Sequence, residues 1–359
     1  MLQTPSPAKG ELAAPALAFS YPWRRLAVGL GVIFAAAVLA ASIGAVGVPP
    51  SGVLKVVVAK MPLVSISPGW PESWDVILWQ LRLPRIALAA IVGGALALSG
   101  AAYQGLFRNP LADPYFIGVS AGAGLGATIV LVTSVPSHVF GVSTLPLAAF
   151  GGAVAAVSVA YAIARRSQGV PLATLILAGV AVTSFTSAIT ALLMIRSDPD
   201  LRPVLGWLLG GFISAEWRDS AMILPYLAPA ALVLAAYGRV INVLQLGEEH
   251  AQQLGVSVEG TKLLLIGVAS LATAAAVAVS GLIGFVGLIA PHAVRLVWGG
   301  DYRSLLPMAA LVGAAFLVLA DLVARTVVSP SELPVGIVTA FCGAPFFLYL
   351  LRRRRGVSM

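Results

Sequence analysis

The sequence predicts an all-α polytopic membrane protein of about ten transmembrane helices, and three observations carry that prediction. Hydrophobic residues make up 59% of the 359-residue chain and charged residues only 10%, with a mean hydropathy of +0.96. That is more apolar surface than one soluble core can hide. The apolar residues also fall into repeated runs of about twenty, the length that crosses a hydrocarbon layer. Finally, the runs stop at arginine pairs and at turns rich in proline, glycine and tryptophan, so charge is confined to their ends.

Residues 1–23 are rich in alanine and proline with little periodicity and read as a disordered lead; residues 24–355 read as one transmembrane domain. Arg24 and Arg25 anchor a first helix from Leu26 to about Val48, too long for a cleaved signal core. The stretch from Val48 to Trp79 is Pro/Gly/Trp-rich and reads as an outer loop with an aromatic belt. Arg82 and Arg85 bracket Pro84 ahead of a second helix that stops at Phe107-Arg108-Asn109-Pro110, and a third begins after Asp113-Pro114. The glycines of this hairpin suit close helix packing.

Thr144 to Ala164 makes a fourth helix, closed by Arg165-Arg166, and Pro171 to Ile195 a fifth, with proline where its missing N–H costs nothing. Gly179, Thr183, Ser184, Thr186, Ser187 and Thr190 give the fifth helix a small, hydroxylated face, either for packing or for a polar pathway. Residues Arg196 to Asp219 read as an outer segment with a short amphipathic or re-entrant helix. Ala221 to Arg239 is a sixth helix despite Pro225 and Pro229. Lys262 to Ser280, Gly281 to Val297, Ser304 to Val323 and Pro334 to Leu351 complete the ten, the eighth short and irregular. Fourteen of the 22 Lys/Arg then fall on the side of both termini and eight on the other, which places the termini in the cytoplasm.

The net charge of +8 is explained by these retained loop cations, and nothing resembles a basic nucleic-acid-binding domain. The one cysteine, Cys342, excludes an internal disulfide and a cysteine metal cluster. Gly118-Val119-Ser120-Ala121-Gly122 matches G-x-S-x-G, but that hydrolase motif needs a strand-to-helix elbow, and here it opens a Gly-rich membrane helix. His292 has no other ligand at metal spacing and reads as a structural histidine. An ion-coupled secondary transporter would place ionisable groups at the membrane midplane; this chain has almost none there, and Asp321 falls near an outer end. No G-x-x-x-x-G-K-[ST] loop is present, so ATP would be hydrolysed by a partner and no cofactor is expected in this chain.

Between two glycines, Glu248 to Leu254 is the only strongly polar helix-forming insert between membrane helices. Glu248 and Glu249 suit its N-terminal end, and Ala251 and Leu254 are expected to share one compact face that seats in a partner.

Several motifs in one order carry a family resemblance: RLPR at Arg82 to Arg85, NPLADP at Asn109 to Pro114, GVSAGAGLGA at Gly118 to Ala127, L-G-E-x-x-A-x-x-L-G from Leu246 to Gly255, GFVGLIAPHAVR at Gly284 to Arg295 and ELPVGIVTAFCGAPFFLYLL at Glu332 to Leu351. Together they resemble the permease subunit of iron-chelate and vitamin B12 ABC importers, the FecCD-type or type II import permeases. The resemblance implies a single permease domain in the cytoplasmic membrane, with helices 2 to 5 and 7 to 10 related by inverted topology. It implies a homodimer, two cytoplasmic ATPase subunits and an extracytoplasmic substrate-binding protein. Arg82, Arg85 and Arg325 correspond to arginines that dock the binding protein. Gly247, Glu248, Glu249, Ala251, Leu254 and Gly255, within a coupling segment at 245–259, correspond to the element seated in the ATPase. Asn109 and Leu111 match one cytoplasmic gate turn, and Leu172 with Ala173 approximately match the other. There the local sequence departs from the hydroxyl-rich form expected of a B12 permease, so the expected substrate is an iron chelate, siderophore or haem, with cobalamin as the alternative.

Overall fold

The computed structural model describes residues 23–60, 69–133, 135–136, 138–139, 142–165, 169–196 and 201–355; the expected lead lies outside them except for Trp23. Among the described residues the regular structure is helical but for a two-residue antiparallel hairpin pairing His138–Val139 with Val142–Ser143. Ten helices correspond to the expected spans and are numbered in that order: helix 1 Trp23–Ser42, helix 2 Leu83–Leu106, helix 3 Val119–Val132, helix 4 Thr144–Ala164, helix 5 Leu172–Arg196, helix 6 Trp217–Ala236, helix 7 Val258–Ser280, helix 8 Val286–Trp298, helix 9 Tyr302–Thr326 and helix 10 Val335–Arg355. Seven of these, with helix 2 extended back to Glu72, are long and apolar enough to cross a membrane; helices 3, 8 and 10 carry shorter apolar stretches.

The expected outer loop at 48–79 is corrected. Pro50–Ala59 is helical and packs back on helix 1, and Glu72–Val76 runs through a π-helical turn, Ile77–Arg82, into helix 2. Proline at the first helical position starts the Pro50 helix without losing a hydrogen bond, which is why a proline-rich stretch still folds.

Packing follows the inverted repeat. Helix 2 packs on helices 8 and 9, as helix 7 packs on helices 3 and 4; the pairs 3 with 4, 4 with 5 and 3 with 5 recur as 8 with 9, 9 with 10 and 8 with 10. Exchanging helices 2–5 for 7–10 therefore maps the contacts onto themselves. Close crossings are made where glycines meet: a Cβ on Gly93 would overlap the Gly313 carbonyl, and one on Gly122 the Gly152 carbonyl. In lipid such backbone approach supplies the contact that a hydrophobic drive cannot.

Each repeat unwinds before its short helix. Pro114–Ile117 forms a 3-10 turn ending at Gly118, and the non-helical stretch Gly281–Phe285, with positive φ at both ends, leads into helix 8. The two stretches meet at Tyr115, whose hydroxyl donates to the Ile283 carbonyl at 2.9 Å and accepts from the Ile283 N–H at 3.1 Å. Gln104 further ties helix 2 to helix 8 by donating at 2.9 Å to the Gly287 carbonyl, which Pro291, lacking an N–H, leaves without its helical partner. Non-helical backbone is tolerable at such a place because protein groups satisfy it.

Candidate functional site

Three candidate regions were expected, and the hydrogen bonds sort them onto two opposite faces. On one face Arg25 Nη1 donates to the Trp298 carbonyl, Asn242 to Asp301, Gln245 to the Gly105 carbonyl, and the Val170 N–H to Glu259. These link every turn that the charge pattern placed in the cytoplasm. On the other face Arg82 reaches Ala41 and Val46, Arg85 reaches Asp321 and Glu332, Trp217 reaches Trp79, and Val335 N–H reaches Gly210.

A cluster on the second face does bring Arg82, Arg85 and Arg325 together, each already bonded within the chain. Arg82 is 8% exposed, and its guanidinium donates to the carbonyls of Ala41 at 2.6 Å and Val46 at 2.5 Å, capping the end of helix 1. Arg325 donates to the Ala40 carbonyl and lies 3.9 Å from Asp321 one turn back. Arg85 holds buried Asp321 at 2.8 Å and half-exposed Glu332 at 2.8 Å, joining helices 2 and 9 and the loop before helix 10. A carboxylate as buried as Asp321, 1% exposed, requires such partners. Beside the cluster a cavity of about 690 Å³ opens between Trp207, Phe212, Glu216, Asp219, Ser280 and Glu332.

On the first face, Asn109 Oδ1 accepts from the Leu111 N–H at 3.0 Å, an Asx turn after helix 2. Leu111 lines a small void with Phe285, His292, Gly343 and Phe346. Ala173 is exposed and Leu172 partly buried; no hydrogen bond or ion pair among the described residues joins them to Asn109 or Leu111. The two turns expected to form the gate thus share no polar link among the described residues.

The coupling segment forms the expected short helix, Glu248–Gln253, between Gly247 (φ 111°) and Gly255 (φ 83°), both in a backbone region glycine favours. The shared face expected of Ala251 and Leu254 is corrected. Ala251 is fully buried against its own chain, whereas Leu254 is 64% exposed. The presented surface is Glu249, His250, Gln252, Gln253 and Leu254.

Sequence reasoning missed the partners. Lys262 is buried and bridges Glu248 at 2.7 Å and Glu259 at 2.9 Å. Asp301 caps helix 9 and holds Arg303 and Asn242, and the hydrogen bond from Arg303 above all lowers its carboxyl to about 2. Only the Asp321–Arg325 and Glu259–Lys262 pairs had a local signal, at i,i+4 and i,i+3 spacing. On helix 5, Gly179, Thr186 and Thr190 are packing positions, while Ser184 and Ser187 remain exposed. The G-x-S-x-G stretch follows a 3-10 turn, not a strand.

The model of the FecCD transport family matches residues 32–353. The chain is 53% identical over 286 residues to the cobalamin import system permease protein of Halobacterium salinarum, covering 80% of this chain and 76% of that one. It is 42% identical to the hemin transport system permease protein of Yersinia pestis, covering 80% and 87%. A solved structure described as an inward-facing conformation of a metal-chelate type ABC transporter superposes with a TM-score of 0.78 at 32% identity, covering 93% of this chain and all of that one.

Proposed function

Since the chain belongs to the FecCD transport family and is thereby the multi-pass membrane permease subunit of an ATP-binding-cassette importer, working with ATPase and substrate-binding components, we propose that it imports cobalamin. The observation that carries this substrate is the 53% identity to a permease named for cobalamin import. It outweighs the departure at Leu172 and Ala173 that favoured an iron chelate. Haem is the second reading, supported by the 42% identity to the hemin permease. The test is the absorbance and mass of what the purified cognate binding protein retains. A cobalt corrinoid supports the proposal; a haem or a siderophore overturns it.

In the proposed assembly two copies of this permease enclose the path, two ATPase subunits bind at the face carrying Glu248–Gln253, and both termini are cytoplasmic. The excess of lysine and arginine on that face supports the orientation. The presented residues around Leu254 support the ATPase contact, and Ala251 serves by seating the coupling helix. The docking role expected of Arg82, Arg85 and Arg325 is kept in altered form. Arg82 and Arg325 shape the rim by pinning helix 1, and Arg85 is the one whose partner on the exposed side, Glu332, a binding-protein carboxylate could replace. The turns at Asn109–Leu111 and Leu172–Ala173 form the inner gate. The unwound pair at Tyr115 and Ile283 supplies a place where the two repeats can rock against each other.

A further inference from the structure

The coupling segment is bonded to the backbone just ahead of both gate turns, on either side of its short helix. Before it, Gln245 Nε2 donates to the Gly105 carbonyl at 2.8 Å, in the last turn of helix 2 and four residues ahead of Asn109. After it, the bonds pass through charge. Glu248, the first residue of the coupling helix, accepts from Lys262 Nζ at 2.7 Å; the same ammonium donates to Glu259 Oε1 at 2.9 Å; and Glu259 Oε2 accepts from the Val170 N–H at 3.0 Å. Val170 is buried and stands two residues before Leu172.

The Glu259 end is built for this contact. Gly169 has φ 110°, and a Cβ there would overlap the Glu259 carboxylate, so the loop presents bare backbone to it. The middle is built as well. Lys262 is 5% exposed, while Glu248 and Glu259 are 39% and 46% exposed at the side chain. A buried ammonium cannot leave either carboxylate without losing its compensation, whereas the carboxylates alone are wetted. A displacement of Glu248 is therefore carried to Lys262 and on to Glu259 rather than absorbed by water.

We propose that Glu248, Lys262 and Glu259 form an ion-paired strut that transmits movement of the coupling helix to the start of helix 5, making Lys262 and Glu259 positioning residues for the inner gate. This rests on the reading of Glu248–Gln253 as the ATPase contact and of Leu172–Ala173 as part of the gate.

The test uses the complete transporter, with its ATPase subunits, in a Cys342→Ser background carrying Ala173→Cys. The rate at which a maleimide modifies position 173 is read with and without ATP and vanadate, so no substrate is needed. With the strut intact the nucleotide state should change that rate at least threefold. In Glu259→Gln and Lys262→Met the change should vanish while ATPase co-purification and basal ATP hydrolysis persist, and Lys262→Arg should restore it. Glu248→Gln, at a wetted site that leaves Lys262 paired with Glu259, folds even where the other two do not; it must show a reduced change. An undiminished nucleotide-dependent change in Glu248→Gln or Glu259→Gln overturns the strut. Failure of the underlying reading looks different. Leu254→Arg would then keep the ATPase bound, or position 173 in the unaltered strut would not respond to nucleotide at all.

Discussion

Replacing Arg85 by methionine separates a structural arginine from a docking one. In the structure Arg85 is the main partner of Asp321, which is 1% exposed, at 2.8 Å; Arg325 stands at 3.9 Å, the limit of an ion pair. Removing one member of a buried pair costs about 3–5 kcal/mol because the other charge is left uncompensated. Arg325 can recover part of that, so the lower end, about 3 kcal/mol, is expected. At roughly 2 °C per kcal/mol for a chain of this size, the apparent Tm in detergent should fall by about 6 °C. Arg85→Met with Asp321→Leu removes both charges and should return most of the loss, since an apolar pair of similar volume is close to neutral. The assay is thermal unfolding of all four members of the cycle, read by intrinsic tryptophan fluorescence, with binding-protein affinity measured in parallel. An unchanged Tm in Arg85→Met together with a tenfold weaker binding protein would refute the structural role and restore Arg85 as a free docking group. The same geometry predicts that reversing Arg82 and Arg85 to glutamate impairs folding itself, because it uncaps helix 1 and gathers carboxylates around Asp321.

Leu254→Arg should leave the permease folded and lose ATPase co-purification, whereas Ala251→Arg, at a fully buried position, should unseat the coupling helix and lower yield; equal, wild-type behaviour of both would contradict the assigned face. Gly313→Val should prevent helices 2 and 9 from closing on Gly93 and Ala97, and a variant as stable as the parent by thermal unfolding would contradict that crossing. Asp301→Ala should cost about 1 kcal/mol as a lost helix cap, with Asp301→Asn milder. Because the folded carboxyl is held down at about 2, its stabilisation is present above the ordinary value of 3.8 and is lost as pH falls from about 4 to about 2; a parent and an alanine variant with parallel pH–stability curves would refute this. A cysteine at position 250 should react only with reagents that reach the cytoplasm, and labelling from outside would invert the topology.

The helices were legible where chemistry marks their ends. Thr144–Ala164 agrees with its expected bounds because Arg165 and Arg166 follow it directly, and helix 6 was recoverable through two prolines because its apolar length persists. Pro50–Ala59 was hidden because proline and glycine in and around it outweigh its six apolar residues. The burial of Ala251 was not readable, since a helix of six residues is too short for periodicity to tell its faces apart. The arginine motifs were found as motifs, yet what Arg85 does depends on Asp321, 236 positions away, and no local pattern reports such a pairing. The internal partners of the three arginines were unreadable for that reason: burial of a charge is decided by the partner helix, not by the segment that carries it.

The most direct test of the importer assignment is cobalamin accumulation in proteoliposomes holding the permease and its ATPase, with binding protein added outside. ATP trapped inside should drive accumulation that ionophores do not collapse and that ceases when the ATPase subunit is left out. Accumulation driven by an ion gradient across vesicles containing the permease alone would contradict it.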